Sequence, residues 1–216
     1  MSLRILVVDD HAVVRRGVRS LLESREGWEV CGEATTGRDA VAQSLRLRPD
    51  VVVMDLSLPE LNGLDATRQI LKDAPDTEVL VLTMHHSEDL AREVLQAGAR
   101  GYVLKSDADE NLIAAVENLR QHKPFLTSTV TEFVLEDYVR RGDAAQEDLA
   151  PVAVTVRERE IIQLIAEGQS NKEAASTLGI SVKTIEAHRA NIMRKLRLRS
   201  VSDLVRYAIR NKIVQP

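Results

Sequence analysis

Up to residue 122 the apolar residues gather in short runs rich in β-branched side chains: 3–8 (LRILVV), 28–35 (WEVCGEAT), 51–55 (VVVMD), 78–83 (EVLVLT) and 101–105 (GYVLK). Between and after them, segments 12–26, 37–48, 64–74, 88–98 and 109–121 carry apolar residues at helical spacing. Strands that are apolar almost throughout, alternating with amphipathic helices, predict a parallel sheet covered on both faces. Five such repeats are too few for a closed eight-stranded barrel. The expectation is an open, five-stranded, doubly wound parallel sheet.

From residue 155 the pattern becomes wholly helical. "TVRE" (155–158) and "SNKE" (170–173) are S/T-x-x-E capping boxes, each leading into apolar residues. They predict a first helix running to about Glu167 and stopped by Gly168, and a second over 171–178. Gly179 in "LGIS" marks a tight turn, Ser181 caps a third helix reaching Leu196, and a fourth follows Ser200. Short helix, glycine-containing turn and longer helix are the helix-turn-helix arrangement, although spacing alone also suits a small structural bundle. Between the two patterns, 128–141 (STVTEFVLEDYVRR) reads as a short helix, and 142–154 has no periodicity and reads as a flexible linker. The expected organisation is an α/β domain over 1–122, a partly helical linker over 123–154 and a small all-α domain over 155–216.

Composition adds little to this picture: 44% hydrophobic and 29% charged residues are ordinary globular values. No apolar run approaches the ~20 residues needed to span a bilayer, and the N-terminal "MSLRILVVDD" lacks the signal-peptide pattern. Cys31, the single cysteine, cannot form an internal disulfide. A cytoplasmic protein without membrane association is expected.

Charge changes more. Residues 1–150 carry 17 Lys and Arg against 27 Asp and Glu, and residues 151–216 carry 12 against 6. The overall net charge of −4 thus hides −10 in the first part and +6 in the second. Such a split fits two modules, the second facing a polyanion. Its third helix favours nucleic acid over an anionic membrane, because it lacks a large apolar face with aromatic anchors. Ile185, Ile192 and Leu196 fall on one side of that helix and must face a core. Lys183, Ala187, Ala190 and Arg194 fall opposite, with Glu186 and Asn191 on the flanks. Two alanines between two long cations make a low surface that can approach the floor of a major groove.

In open α/β sheets, ligands gather beyond the carboxyl ends of the strands. The predicted strands end at Asp9 and Asp10, at Asp55, at Thr83 and at Lys105. Adjacent carboxylates repel each other and are costly to desolvate. A solvated turn capping the next helix would accommodate Asp9 and Asp10 alone. Three acids converging with a hydroxyl and an ammonium suit Mg²⁺, a hard cation that keeps waters and leaves room for phosphate. A carboxylate held beside such a cation and a lysine can act as nucleophile toward phosphorus. His85–His86 lacks partners at metal-ligand spacing and reads as loop, and Pro59 and Gly63 in "SLPELNG" read as turn chemistry.

"ILVVDDH", "VVVMDLSLPELNGLDAT", "VLVLT" and "GARGYVLKS" together resemble the receiver domain of bacterial two-component response regulators over about 3–122. The resemblance implies a flavodoxin-like fold, with Asp55 accepting phosphate from a sensor histidine kinase. It implies Mg²⁺ held directly by Asp10 and Asp55, by Asp9 mostly through water, and by the backbone carbonyl of Ser57. It also makes Thr83 and Tyr102 a switch pair and Lys105 the phosphate-contacting lysine. Ser106 departs from the proline common after that lysine. Residues 155–213 resemble the LuxR-type DNA-binding domain of NarL/FixJ regulators. This implies that 182–197 is the recognition helix and that 200–212 helps pair two copies. The family's base-contacting positions fall on Glu186, Ala187 and Ala190, and the DNA-facing set is completed by Lys183, Thr184, Asn191 and Arg194. Acid and alanine stand where other members carry lysines, so no sequence preference can be borrowed. The expected protein is a phosphorylation-controlled transcription factor that dimerises on a palindromic promoter and works with RNA polymerase. An aspartate-nucleophile phosphatase is the rival. Such enzymes place Asp-x-Asp after the first strand, whereas this chain has Asp9-Asp10 there and Leu56-Ser57 after Asp55.

Overall fold

The structure, a computed structural model, describes residues 2–84, 87–127, 130–131 and 154–214. These form two compact units, the first α/β and the second all-α. In the first, strands β1 (Leu3–Val8), β2 (Trp28–Ala34), β3 (Val51–Met54), β4 (Glu78–Thr83), β5 (Gly101–Leu104) and β6 (Phe125–Leu126) make one sheet of order β2-β1-β3-β4-β5-β6. Every neighbouring pair is parallel. Helices α1 (Ala12–Glu23), α2 (Gly37–Leu47), α3 (Gly63–Asp73), α4 (Glu88–Gln96) and α5 (Ala108–Arg120) connect them.

Six strands replace the five expected. The sixth, Phe125–Leu126, pairs with Gly101 and Tyr102. Two residues are too short to show any alternation, and Pro124 before them signals a loop, so this edge strand left no trace in the pattern. The expected helix 128–141 and linker 142–154 lie almost wholly outside the described residues, as do His85 and His86.

The apolar strands alternate their side chains between two covered faces. Ile5, Val7, Val51, Val53, Leu80, Leu82 and Val103 share one core with Val18 and Leu22 of α1 and Leu112, Ala115, Val116 and Leu119 of α5. The i, i+3, i+4, i+7 spacing of the four α5 residues is what lays that helix flat on the sheet. Their strand neighbours Leu6, Val8, Val52, Met54 and Val81 are also fully buried, which a parallel sheet with a single covered face would not allow. The chain leaves β1 in one direction to make β2 and then returns past β1 to make β3. The switch point therefore falls between β1 and β3, and their C-terminal ends carry Asp9, Asp10 and Asp55.

Among the described residues the second unit has four helices, α6 (Val156–Ala166), α7 (Asn171–Leu178), α8 (Val182–Lys195) and α9 (Val201–Arg210). Both capping boxes form as their sequences predict: Thr155 with Glu158, and Ser170 with Glu173. Ser181 and Ser200 cap α8 and α9 with their hydroxyls. Gly179 ends α7 in the left-handed region at φ 63°, where a side chain would strain the turn into α8. Ile161, Ile162, Leu164, Ile165, Ala174, Ala175, Ile185, Ile192, Leu204 and Ala208 form the core of this unit.

Candidate phosphoacceptor site and helix-turn-helix face

Two strand ends are locked together before any side chain contributes. The Asp55 N–H donates to the Val8 carbonyl at 2.9 Å, and the Asp9 N–H to the Ala34 carbonyl at 3.1 Å, extending the parallel ladders by one residue. Gly63 holds the far side. A Cβ built there would lie 1.9 Å from the Asp55 carbonyl oxygen, so only glycine lets the start of α3 pack this closely on the Asp55 backbone. The sequence shows this residue as turn chemistry; the structure shows that it also seats the acid.

Lys105, at the end of β5, reaches both buried acids. Its ammonium lies 2.6 Å from Asp9 Oδ2 and 2.8 Å from Asp55 Oδ2. Asp9 and Asp55 are each only 2% exposed. Asp55 Oδ1 accepts the Leu56 N–H at 2.8 Å, and Asp9 Oδ1 accepts the His11 N–H at 2.8 Å. Asp9 is thus no solvated turn residue. Asp10 is exposed and pairs with the His11 imidazole at 2.7 Å. Burial pushes the Asp55 carboxyl above its ordinary value; the Lys105 hydrogen bond and charge pull it down, and the Asp9 charge adds to the rise. Burial alone would lower Lys105, but its hydrogen bonds and attraction to Asp55 and Asp9 outweigh that and hold it above the usual lysine range.

The remaining predicted residues lie at or near the ends of β3, β4 and β5. Thr83 ends β4 fully buried, and Tyr102 on the neighbouring strand β5 is 1% exposed, so its ring is already packed inward. Ser57 sits half-buried after Asp55. No cis peptide occurs among the described residues, so the Lys105–Ser106 bond is trans. Sequence reasoning missed His11, whose ring nitrogen lies among the acid oxygens. The one signal was its adjacency to Asp9 and Asp10.

Three carboxylates meet one ammonium here, and ligand atoms of Asp9, Asp10, Asp55 and His11 lie within 4.8 Å of one another. An oxygen-rich donor set with charge left uncompensated fits a hard divalent cation. An arrangement of this kind suits a carboxylate that attacks phosphorus beside a charge-neutralising lysine.

On α8, Ile185 and Ile192 are buried, while Lys183, Thr184, Glu186, Ala187, Ala190, Asn191 and Arg194 are all exposed. The side chains expected opposite the core are thus at the surface. Arg194 donates to Asn191 Oδ1 at 2.9 Å, and Lys195 is tied back to Glu158 of α6 at 2.7 Å. Lys195 therefore braces the helix, a role its place in a basic run did not reveal.

A parallel sheet with an acid-lysine cluster at its switch point, together with a separate helix-turn-helix unit, defines a class, and comparison with known proteins agrees with it. The response regulator receiver domain family matches residues 5–117, and the luxR family of bacterial regulatory proteins matches 153–208. The chain belongs to the two-component response regulators; it is a regulator of transcription and not an enzyme. It is 40% identical to the oxygen regulatory protein NreC of Staphylococcus epidermidis, over 99% of this chain and 100% of that one. A LuxR-family response regulator from Aurantimonas sp. is 36% identical with a TM-score of 0.61, covering 64% of this chain and 99% of that structure. The response regulator RcsB, solved in complex with DNA, is 29% identical with a TM-score of 0.60, covering 96% and 98%.

Proposed function

We propose that this response regulator controls transcription through phosphorylation of Asp55 by a sensor histidine kinase, followed by dimerisation and binding of promoter DNA through α8. The observation that carries the reading is Lys105 bridging Asp55 and Asp9 at the switch point. A nucleophile, a phosphate-neutralising cation and an acid pair thus share one strand edge. An Asp55 carboxylate oxygen attacks the donor phosphorus; the bond from phosphorus to the donor breaks with its electron pair, and a mixed anhydride remains on Asp55. Asp9, Asp10, Asp55 and the Ser57 carbonyl would hold Mg²⁺, which would supply charge neutralisation for the incoming phosphoryl group. Lys105 and the Thr83 hydroxyl bind those oxygens, and Tyr102 responds to Thr83.

In the second unit, Lys183 and Arg194 reach phosphates or base edges, Glu186, Ala187 and Ala190 take the base-contacting positions, and Thr184 and Asn191 complete the DNA-facing set. The protein works in the cytoplasm, without membrane association, as a homodimer on a palindromic site beside RNA polymerase. Its functional division is a receiver over 1–122, a linker over 123–154 and a DNA-binding domain over 155–216. Among the described residues no helix is long and apolar enough to cross a membrane.

Intact-mass measurement after incubation with a small phosphodonor and Mg²⁺ tests the central step. Wild type gains one phosphoryl group and Asp55→Asn gains none; an equal gain in both removes Asp55 as acceptor.

A further inference from the structure

His11 is the N-cap of α1, yet its side chain makes no capping hydrogen bond. Its backbone N–H is fixed on Asp9 Oδ1, and the imidazole is 67% exposed, with Nδ1 2.7 Å from Asp10 Oδ1 and 3.4 Å from Asp9 Oδ1. The residue is anchored at its root by the acid pair, and its ring is not needed to cap the helix. That ring nonetheless contributes a ligand atom within 4.8 Å of those of Asp9, Asp10 and Asp55. A cation drawn to the three carboxylates therefore meets a nitrogen donor as well as oxygens.

We propose that His11 is a metal-selective ligand of this site. Mg²⁺ is hard, prefers oxygen and gives up water reluctantly, so with Mg²⁺ the imidazole stays outside and keeps its partner Asp10. A borderline first-row ion such as Zn²⁺ takes imidazole readily. With Zn²⁺, Nδ1 would lose its contact to Asp10 and join the carboxylates as ligand, with the ring proton on Nε2. One side chain thereby raises affinity for transition ions without raising it for Mg²⁺, and so decides which ion loads the site when both are present. The inference rests on the cation-site reading given above.

The test uses the full-length chain in three forms: wild type, His11→Ala, and a double variant Asp9→Asn, Asp10→Asn that marks binding elsewhere. The backbone donor that fixes residue 11 survives in His11→Ala, and fluorescence of Trp28, the single tryptophan, checks that the receiver is folded. Calorimetric titration with MgCl₂ and with ZnCl₂ should show Zn²⁺ affinity falling about 10-fold or more in His11→Ala, with Mg²⁺ affinity changing less than about 2-fold. In imidazole ¹⁵N spectra of wild type, Zn²⁺ should move the His11 Nδ1 resonance and Mg²⁺ should leave it in place. Equal Zn²⁺ affinity in wild type and His11→Ala, or a stationary Nδ1 at saturating Zn²⁺, overturns the inference and leaves the cation site standing. Mg²⁺ binding that is absent, or unchanged in the double variant, overturns both.

Discussion

The Asp55 site depends on one residue that does no chemistry. Gly63 has its backbone where a Cβ would overlap the Asp55 carbonyl, so Gly63→Ala must move either α3 or the acid. Overpacking of this kind costs typically about 1–3 kcal/mol. The urea midpoint followed by Trp28 fluorescence should drop accordingly, and, with Asp55 as the proposed acceptor, phosphoryl uptake should slow more than stability alone explains, because its carboxylate is displaced. A variant as stable and as readily phosphorylated as wild type would show that the close approach is not needed. Tyr102 makes a second residue-scale prediction. Burial pushes its phenol up to about 12, so the folded chain keeps a proton that the unfolded chain releases near 10. With fewer protons on the unfolded state, stability is intact below pH 10 and is lost as pH climbs toward 12. Lys105, also raised, titrates above its ordinary value in the same direction. Tyr102→Phe removes the titrating hydroxyl and keeps the ring, so between pH 10 and 12 its stability should fall less steeply than that of wild type.

At the scale of elements, α8 separates a supporting face from a working one. Ile185 is fully buried, and Ile185→Ala should cost about 2–5 kcal/mol in thermal unfolding of the second unit. Arg194→Ala should leave stability nearly unchanged and flatten the salt dependence of DNA binding by about one unit of log-log slope. Glu186→Ala should relax preference at one base pair, removing about 1–3 kcal/mol of discrimination; an unaltered binding-site profile would take Glu186 out of readout. The same element shows what was legible in advance. Capping boxes, Gly179 and the apolar spacing of Ile185 and Ile192 act within a few residues, and the structure follows them to within a residue or two. Asp9, Asp10, Asp55, Thr83 and Lys105 were legible because strand ends of a parallel sheet share an edge. Less visible were contacts set by three-dimensional approach: Gly63 against Asp55, Lys195 against Glu158, and His11 among the acids. Phe125–Leu126 escaped notice because two residues carry no period.

At the scale of the whole molecule, the distribution of charge makes its own prediction. The acidic part, net −10 over residues 1–150, is tethered to the part of net +6 that meets DNA, and its field opposes approach to a polyanion. A fragment 150–216 should therefore bind DNA more tightly than the unphosphorylated full-length chain at low salt, and the gap should narrow as salt screens the repulsion. Equal affinity of the two at low salt would assign control to dimerisation alone.

The register of β1 and β3 has a further consequence. Val8 faces Met54, and the next residues, Asp9 and Asp55, share Lys105. A slip of one residue between these strands would turn every side chain of one strand to the opposite face, burying the wrong set and carrying Asp55 away from the lysine. A misaligned sheet would then be deaf to phosphate as well as poorly packed. Under the proposed role of Asp55, receptivity to the signal would then be a built-in audit of folding: only a correctly threaded copy would take up phosphate, and errors of assembly would go unread.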